Sequence, residues 1–134
     1  MWTLNINEEK MLLIIKLSDT LTLNELSEFL KEIYDKNDGK YATYNRFTDL
    51  SDLKEIKIDF DTFSSCIHEC RRKIAPDPPV KISIYIPENY IGGIPHLYKS
   101  MLSNDQFKIE ISDSLDDCAE YLSVDKKLLE DAVK

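Results

Sequence analysis

The sequence predicts an α/β domain built on a single mixed, mostly parallel five-stranded sheet, with helices mainly on one face. Three observations carry that prediction. β-rich segments alternate with helical ones along most of the chain. Two of the strands alternate strictly between apolar and polar side chains. No repeat, low-complexity tract or linker divides the 134 residues, which predicts one domain over 1–134. Strands separated by helices imply right-handed crossovers and parallel pairing, whereas the first two strands share a hairpin and run antiparallel.

Trp2, Leu4 and Ile6 alternate with polar residues, as in an edge strand buried on one side. Asn7-Glu8-Glu9-Lys10 turns the chain, and Met11 to Ile15 is continuously apolar, as a central strand would be. Thr22-Leu23-Asn24-Glu25 has the capping-box pattern that opens a helix. Leu23, Leu26, Phe29, Leu30 and Ile33 recur at helical spacing, until Asp38-Gly39 stops the run. Tyr41 to Leu50 reads as the next strand.

A second helix starts around Asp59 to Asp61, carries Phe60, Phe63, Ile67, Cys70 and Ile74 on its apolar stripe, and ends at Pro76, Pro78 and Pro79. Val80, Ile82, Ile84 and Ile86 alternate with Lys81, Ser83 and Tyr85 in a fourth strand. Gly92-Gly93 and Pro95 introduce a third helix with Ile94, Leu97, Tyr98, Met101 and Leu102 inward. Phe107, Ile109 and Ile111 mark the last strand. Leu115, Cys118, Ala119 and Leu122 mark a fourth helix, and Ser123 caps a short terminal one carrying Leu128, Leu129 and Val133. With clean alternation in two strands, the face opposite most of the helices is expected to be partly open.

Composition narrows the function classes. A hydrophobic fraction of 43% and a charged fraction of 31% suit a globular chain. The net charge of −8 repels phosphates, so no nucleic-acid partner is expected, and Arg71-Arg72-Lys73 reads as a cationic helix end that complements the dipole. Three cysteines at no framework spacing suit a reducing cytoplasm. No basic segment with a long apolar run opens the chain, and Met11 to Ile15 is far too short to span a bilayer, so neither export nor membrane insertion is expected.

Taken with Leu21 to Leu26, Thr48-Asp49-Leu50-Ser51-Asp52 and Ile86 to Gly93 at their spacing, the element order resembles the SpoIIAA-like branch of the STAS superfamily, the fold of anti-sigma factor antagonists. That resemblance implies a regulatory domain that binds a protein partner. In such antagonists a serine just before the second helix, in an Asp-Ser-Ser/Thr-Gly-like segment, is phosphorylated by a partner kinase. Here the corresponding segment is Asp59-Phe60-Asp61-Thr62-Phe63. Phe60 falls at the serine position and the glycine is missing. Thr62 is either a substitute acceptor, where free amides and the dipole would stabilise phosphate, or simply a polar residue of the first helical turn, and Asp59 and Asp61 already supply negative charge that would repel phosphate there.

The remaining candidates are weighed on their own chemistry. Cys66 and Cys70 share a helix face while His68 projects about 200° from Cys66, so the three do not converge on a metal and the cysteines read as small hydrophobes. Gly92 and Gly93 at a helix start either cradle an anion, with His96 as the useful polar group, or merely let the chain turn. Asp49, Ser51 and Asp52 sit at a strand's carboxyl end, the usual edge for ligands, or else cap and solubilise a loop. No catalytic motif stands out, and no cofactor is expected. The leading expectation is a non-enzymatic domain that binds a protein partner or itself through the thinner sheet face or the strand-end loops. The alternative is a small apolar or lipid-like ligand held near Tyr90, Tyr98 and Met101, implied by the superfamily's likeness to Sec14-like lipid-binding domains.

Overall fold

The computed structural model describes residues 1–87 and 94–133. Five strands, β1 (Trp2–Asn7), β2 (Leu12–Thr22), β3 (Asn45–Lys57), β4 (Val80–Tyr85) and β5 (Phe107–Ser112), form one sheet in the order β1-β2-β3-β4-β5. β1 and β2 pair antiparallel, with Trp2 opposite Leu17 and Asn7 opposite Leu12. The other neighbours pair in parallel, with Lys16 opposite Asp49, Asp49 opposite Tyr85 and Val80 opposite Phe107. Mixed pairing follows from the connections: a tight turn suits an antiparallel hairpin, and the helical crossovers carry the parallel pairs.

The helices are α1 (Leu23–Tyr34), α2 (Phe60–Arg71), α3 (Ile94–Leu102), α4 (Leu115–Leu122) and α5 (Lys126–Val133). α1, α2 and α3 cover one face. Leu13, Ile15, Ile82, Ile84, Phe107 and Ile109 meet Leu26, Phe29, Phe63, Ile67, Tyr98 and Leu102 in the main core. Val80, Ile82 and Ile84 are buried, as the fourth strand's alternation predicts.

The expected open face is corrected. α4 and α5 pack across it, and Cys118, Ala119, Leu122 and Leu129 bury Leu12 and Phe47 in a second core. The continuous apolar run of β2 explains the difference: Leu13 and Ile15 face one layer while Leu12 and Ile14 face the other, so both sides need cover. α4's polar neighbours on the sheet are the residues that alternation alone assigns to water. Ser83 is buried, and Lys81 lies over the ring of Tyr121 at 5.4 Å.

Several element readings shift. The third strand begins at Asn45 rather than Tyr41, because Lys36–Thr43 is a 3-10 segment with Asn37, Asp38 and Gly39 in the left-handed region. It runs to Lys57 rather than stopping at Leu50, pairing with β2 as far as Thr22 opposite Lys57. Register shifts beside Lys16 and Asp19 interrupt the period of two, and Asp19 takes a left-handed φ of 58° at its bulge. Leu23, Leu97 and Met101 are exposed rather than inward, as is Ile6 at the hairpin end. Ser123 closes α4 in a left-handed conformation instead of capping α5, and Asp125 accepts the Lys127 N–H at 3.0 Å in that capping role.

Candidate functional site

The start of α2 is locally built. Asp59 is the N-cap: its carboxylate accepts the Thr62 N–H at 2.9 Å, and the Thr62 hydroxyl donates to the same carboxylate at 2.7 Å. These bonds, the backbone one foremost, hold the Asp59 carboxyl below its usual range. Asp61 is exposed beside them. Thr62 is thus engaged by a carboxylate, an arrangement that already satisfies the helix start with negative charge.

The strand-end candidates occupy a different place from the one expected. Asp49 and Ser51 lie where the five-stranded sheet narrows to the β2–β3 ribbon, since β4 ends opposite Asp49. Asp49 is 1% exposed. One of its oxygens accepts the Ser51 N–H at 2.9 Å, and the other lies 3.8 Å from Lys16 Nζ without a hydrogen-bond partner. Lys16 reaches on to Asp52 at 3.0 Å, and that hydrogen bond, aided by both carboxylates' charge and opposed by burial, raises its pKa above the ordinary value.

Tyr98 does not face solvent. Its ring is buried and stacks on Phe63 at 4.4 Å and Phe60 at 5.4 Å, tying the start of α2 to α3. His96 is exposed on the same helix. Tyr90, Gly92 and Gly93 lie outside the described residues. Cys66 and Cys70 are half-buried and His68 is exposed, and burial pushes the Cys70 and Cys118 thiols above their ordinary range. Raised thiols are poor nucleophiles and poor metal ligands at neutral pH.

Sequence reasoning misses the most unusual pair in the molecule. Arg46 is 5% exposed and Arg71 is 8% exposed, and both line a cavity of about 120 Å³ between α1, α2, α3 and the sheet. Arg46 donates to the Tyr34 hydroxyl at 3.2 Å and to the Ala42 carbonyl at 2.9 Å, and Arg71 donates to the Leu102 carbonyl. Both guanidiniums lie against the ring of Phe107, at 5.7 Å and 4.2 Å. The Nε of each is buried without a hydrogen-bond partner. Burial, foremost, and the neighbouring Arg46 charge hold Arg71 below its ordinary pKa, while Tyr34 opposes the shift.

The signal for these residues is present in the periodicity. Arg71 follows Phe63 and Ile67 at intervals of four on the inner stripe of α2, so the helix carries it inward. Arg46 stands between Tyr44 and Thr48 at a strand's period of two, on the face that also holds Leu50.

Comparison with solved structures agrees with this architecture. The anti-sigma factor antagonist SpoIIAA in its unphosphorylated form superposes with a TM-score of 0.57 at 9% identity, covering 90% of this chain and 94% of that one. The chain has a SpoIIAA-like fold. An uncharacterised DUF3478-family protein from Shewanella loihica PV-4, itself described as SpoIIAA-like, matches with a TM-score of 0.58 at 8% identity, covering 91% of this chain and 92% of that one. No family model matches the chain, and no curated protein matches its sequence. Among the described residues, no helix is long and apolar enough to cross a membrane.

Proposed function

We propose that this SpoIIAA-like chain is a non-enzymatic regulatory domain that works in the cytoplasm by binding a protein partner. The observation that carries the reading is the full-length likeness to a protein named as an anti-sigma factor antagonist. The contact surface is the joint start of α2 and α3, which the Phe60–Tyr98 stack holds side by side. It presents Asp59, Asp61 and Thr62 on one helix and His96 on the next. Leu97 and Met101, 44% and 47% exposed and one turn apart, extend the surface along α3 towards its end as an apolar strip suited to an aliphatic partner surface. Phe60 stands in place of the antagonists' serine, and the carboxylate of Asp59 beside the Thr62 hydroxyl disfavours a phosphate at this position.

Affinity capture from native lysate tests the reading with two baits, the wild type and Leu97→Asp/Met101→Asp. A partner recovered by the first and lost by the second supports it. Recovery of the same proteins by both baits contradicts the assigned surface. Self-association through that surface would appear in light scattering as a dimer that the double variant abolishes.

A second reading, a small apolar ligand, is favoured by the cavity of about 120 Å³ that has Tyr98 in its wall. Native mass spectrometry of freshly purified protein tests it by searching for a co-purifying small molecule.

A further inference from the structure

We infer that the cavity beneath α1, α2 and α3 is a site for a small monocarboxylate, whose charged end is gripped by Arg46 and Arg71 and whose hydrocarbon end fills the apolar remainder. The inference rests on the ligand-binding reading above and specifies the ligand's chemistry.

Two buried cations set the problem. A guanidinium keeps its proton throughout the physiological range, so burial cannot neutralise it as it would a lysine or histidine. A buried charge is costly unless it is paired and hydrogen-bonded, and the usual partner is a carboxylate. Among the described residues neither arginine has one: Arg46 donates to the Tyr34 phenol and a carbonyl, Arg71 donates to a carbonyl and also meets the Tyr34 phenol, and neither Nε–H has a partner. Contact with the Phe107 ring offsets part of the cost through its π-face. It supplies no negative charge.

The complement is therefore anionic, and an arginine's planar fork matches a carboxylate in particular. The rest of the wall decides what that carboxylate is attached to. Most of it is aliphatic, with Leu17, Leu30, Leu50, Ile82 and Ile84 among its residues, and besides the arginines and Tyr34 only Thr48 and Tyr98 bring hydroxyls to it. A free inorganic ion would leave this surface without contacts, whereas an aliphatic tail would fill it. The volume bounds the size. At about 120 Å³ the cavity is somewhat smaller than the roughly 150 Å³ engineered cavity that accepts benzene, which limits the ligand to about six to eight non-hydrogen atoms. A four- to six-carbon acid has about that many.

Pentanoate and pentan-1-ol make the test pair, because they share a tail and differ in charge. Binding to the full chain is measured by calorimetry, and thermal unfolding is followed in parallel with chloride at matched ionic strength. Pentanoate should bind about tenfold or more tightly than pentan-1-ol, since an unpaired buried charge is worth at least that factor. Arg71→Met and Arg46→Met should each remove the preference. These replacements keep an unbranched apolar stem, and exchanging a buried charge for an apolar group is often tolerated. Circular dichroism checks that each variant is folded; if either is not, the wild-type comparison decides alone.

Equal binding of the acid and the alcohol would overturn the arginine grip and leave the ligand reading standing. Binding of neither would overturn both. Stabilisation by chloride equal to that by pentanoate would overturn the tail, and a preference that survives both methionine variants would overturn the assignment to these arginines.

Discussion

At the scale of single residues, the strongest local effects come from carboxylates with defined donors. Asp59 is held below its ordinary value of 3.8 by the Thr62 backbone N–H first and its hydroxyl second. A carboxyl whose folded pKa is depressed contributes stability that is present above the unfolded pKa and lost as pH falls through the folded one. Asp59→Asn should keep α2 capped at neutral pH, because Asn is also a good N-cap, and should flatten the loss of stability on acidification below about pH 4. Urea unfolding across that range checks it; parallel acid limbs for the two proteins would mean that the Asp59–Thr62 pair is absent in solution. Asp49 differs because it is buried. Asp49→Ala leaves the Ser51 N–H without its acceptor, and should cost about 1–3 kcal/mol by chemical denaturation. Asp59 is legible in the sequence because a cap and the amide it serves stand three residues apart. Arg46 and Arg71 are not, because arginine ranks as a surface residue and only its position on the apolar period betrays it.

At the scale of elements, legibility follows the regularity of the period. α1 and β4 carry unbroken patterns, and the structure forms both and buries Leu26, Phe29, Leu30, Ile33, Val80, Ile82 and Ile84 as the patterns indicate, with Leu23 exposed and Ser83 buried as the departures. The far half of β3 does not, because the register shift between Asp49 and Asp52 lets Leu50 and Leu53, three residues apart, both point inside. α3 is read correctly as a helix but with too wide an inner face: Tyr98 and Leu102 are buried, whereas Leu97 and Met101 are not. The last two helices expose another limit. Their amphipathic stripes are evident, but a stripe does not say which side of a sheet it covers. The structure assigns α4 and α5 to the side opposite α1, α2 and α3, and Leu129 is completely buried there. Leu129→Ala should therefore cost about 2–5 kcal/mol, as a core truncation does. A loss below about half a kcal/mol, the range for surface changes, would show that α5 is not a structural cover.

At the scale of the whole molecule, the formal charge of −8 governs both stability and association. Exposed ion pairs such as Lys54–Asp19 and Lys126–Asp116 contribute little each, because water screens them and long side chains must be ordered to form them. Eight uncompensated negative charges, by contrast, repel one another throughout the folded surface. Salt shortens the reach of that repulsion to about 8 Å at physiological ionic strength. The denaturation midpoint should consequently rise as sodium chloride increases from low to physiological concentration, and a fall would mean that the surface pairs outweigh the repulsion. The same term acts between copies. If the surface bearing Asp59 and Asp61 also mediates self-association, two acidic helix starts must approach each other, and salt should favour the dimer as well as the fold. Light scattering across salt and protein concentration separates the cases: a dimer strengthened by salt fits contact through the α2–α3 surface, and one weakened by salt requires oppositely charged patches elsewhere on the chain.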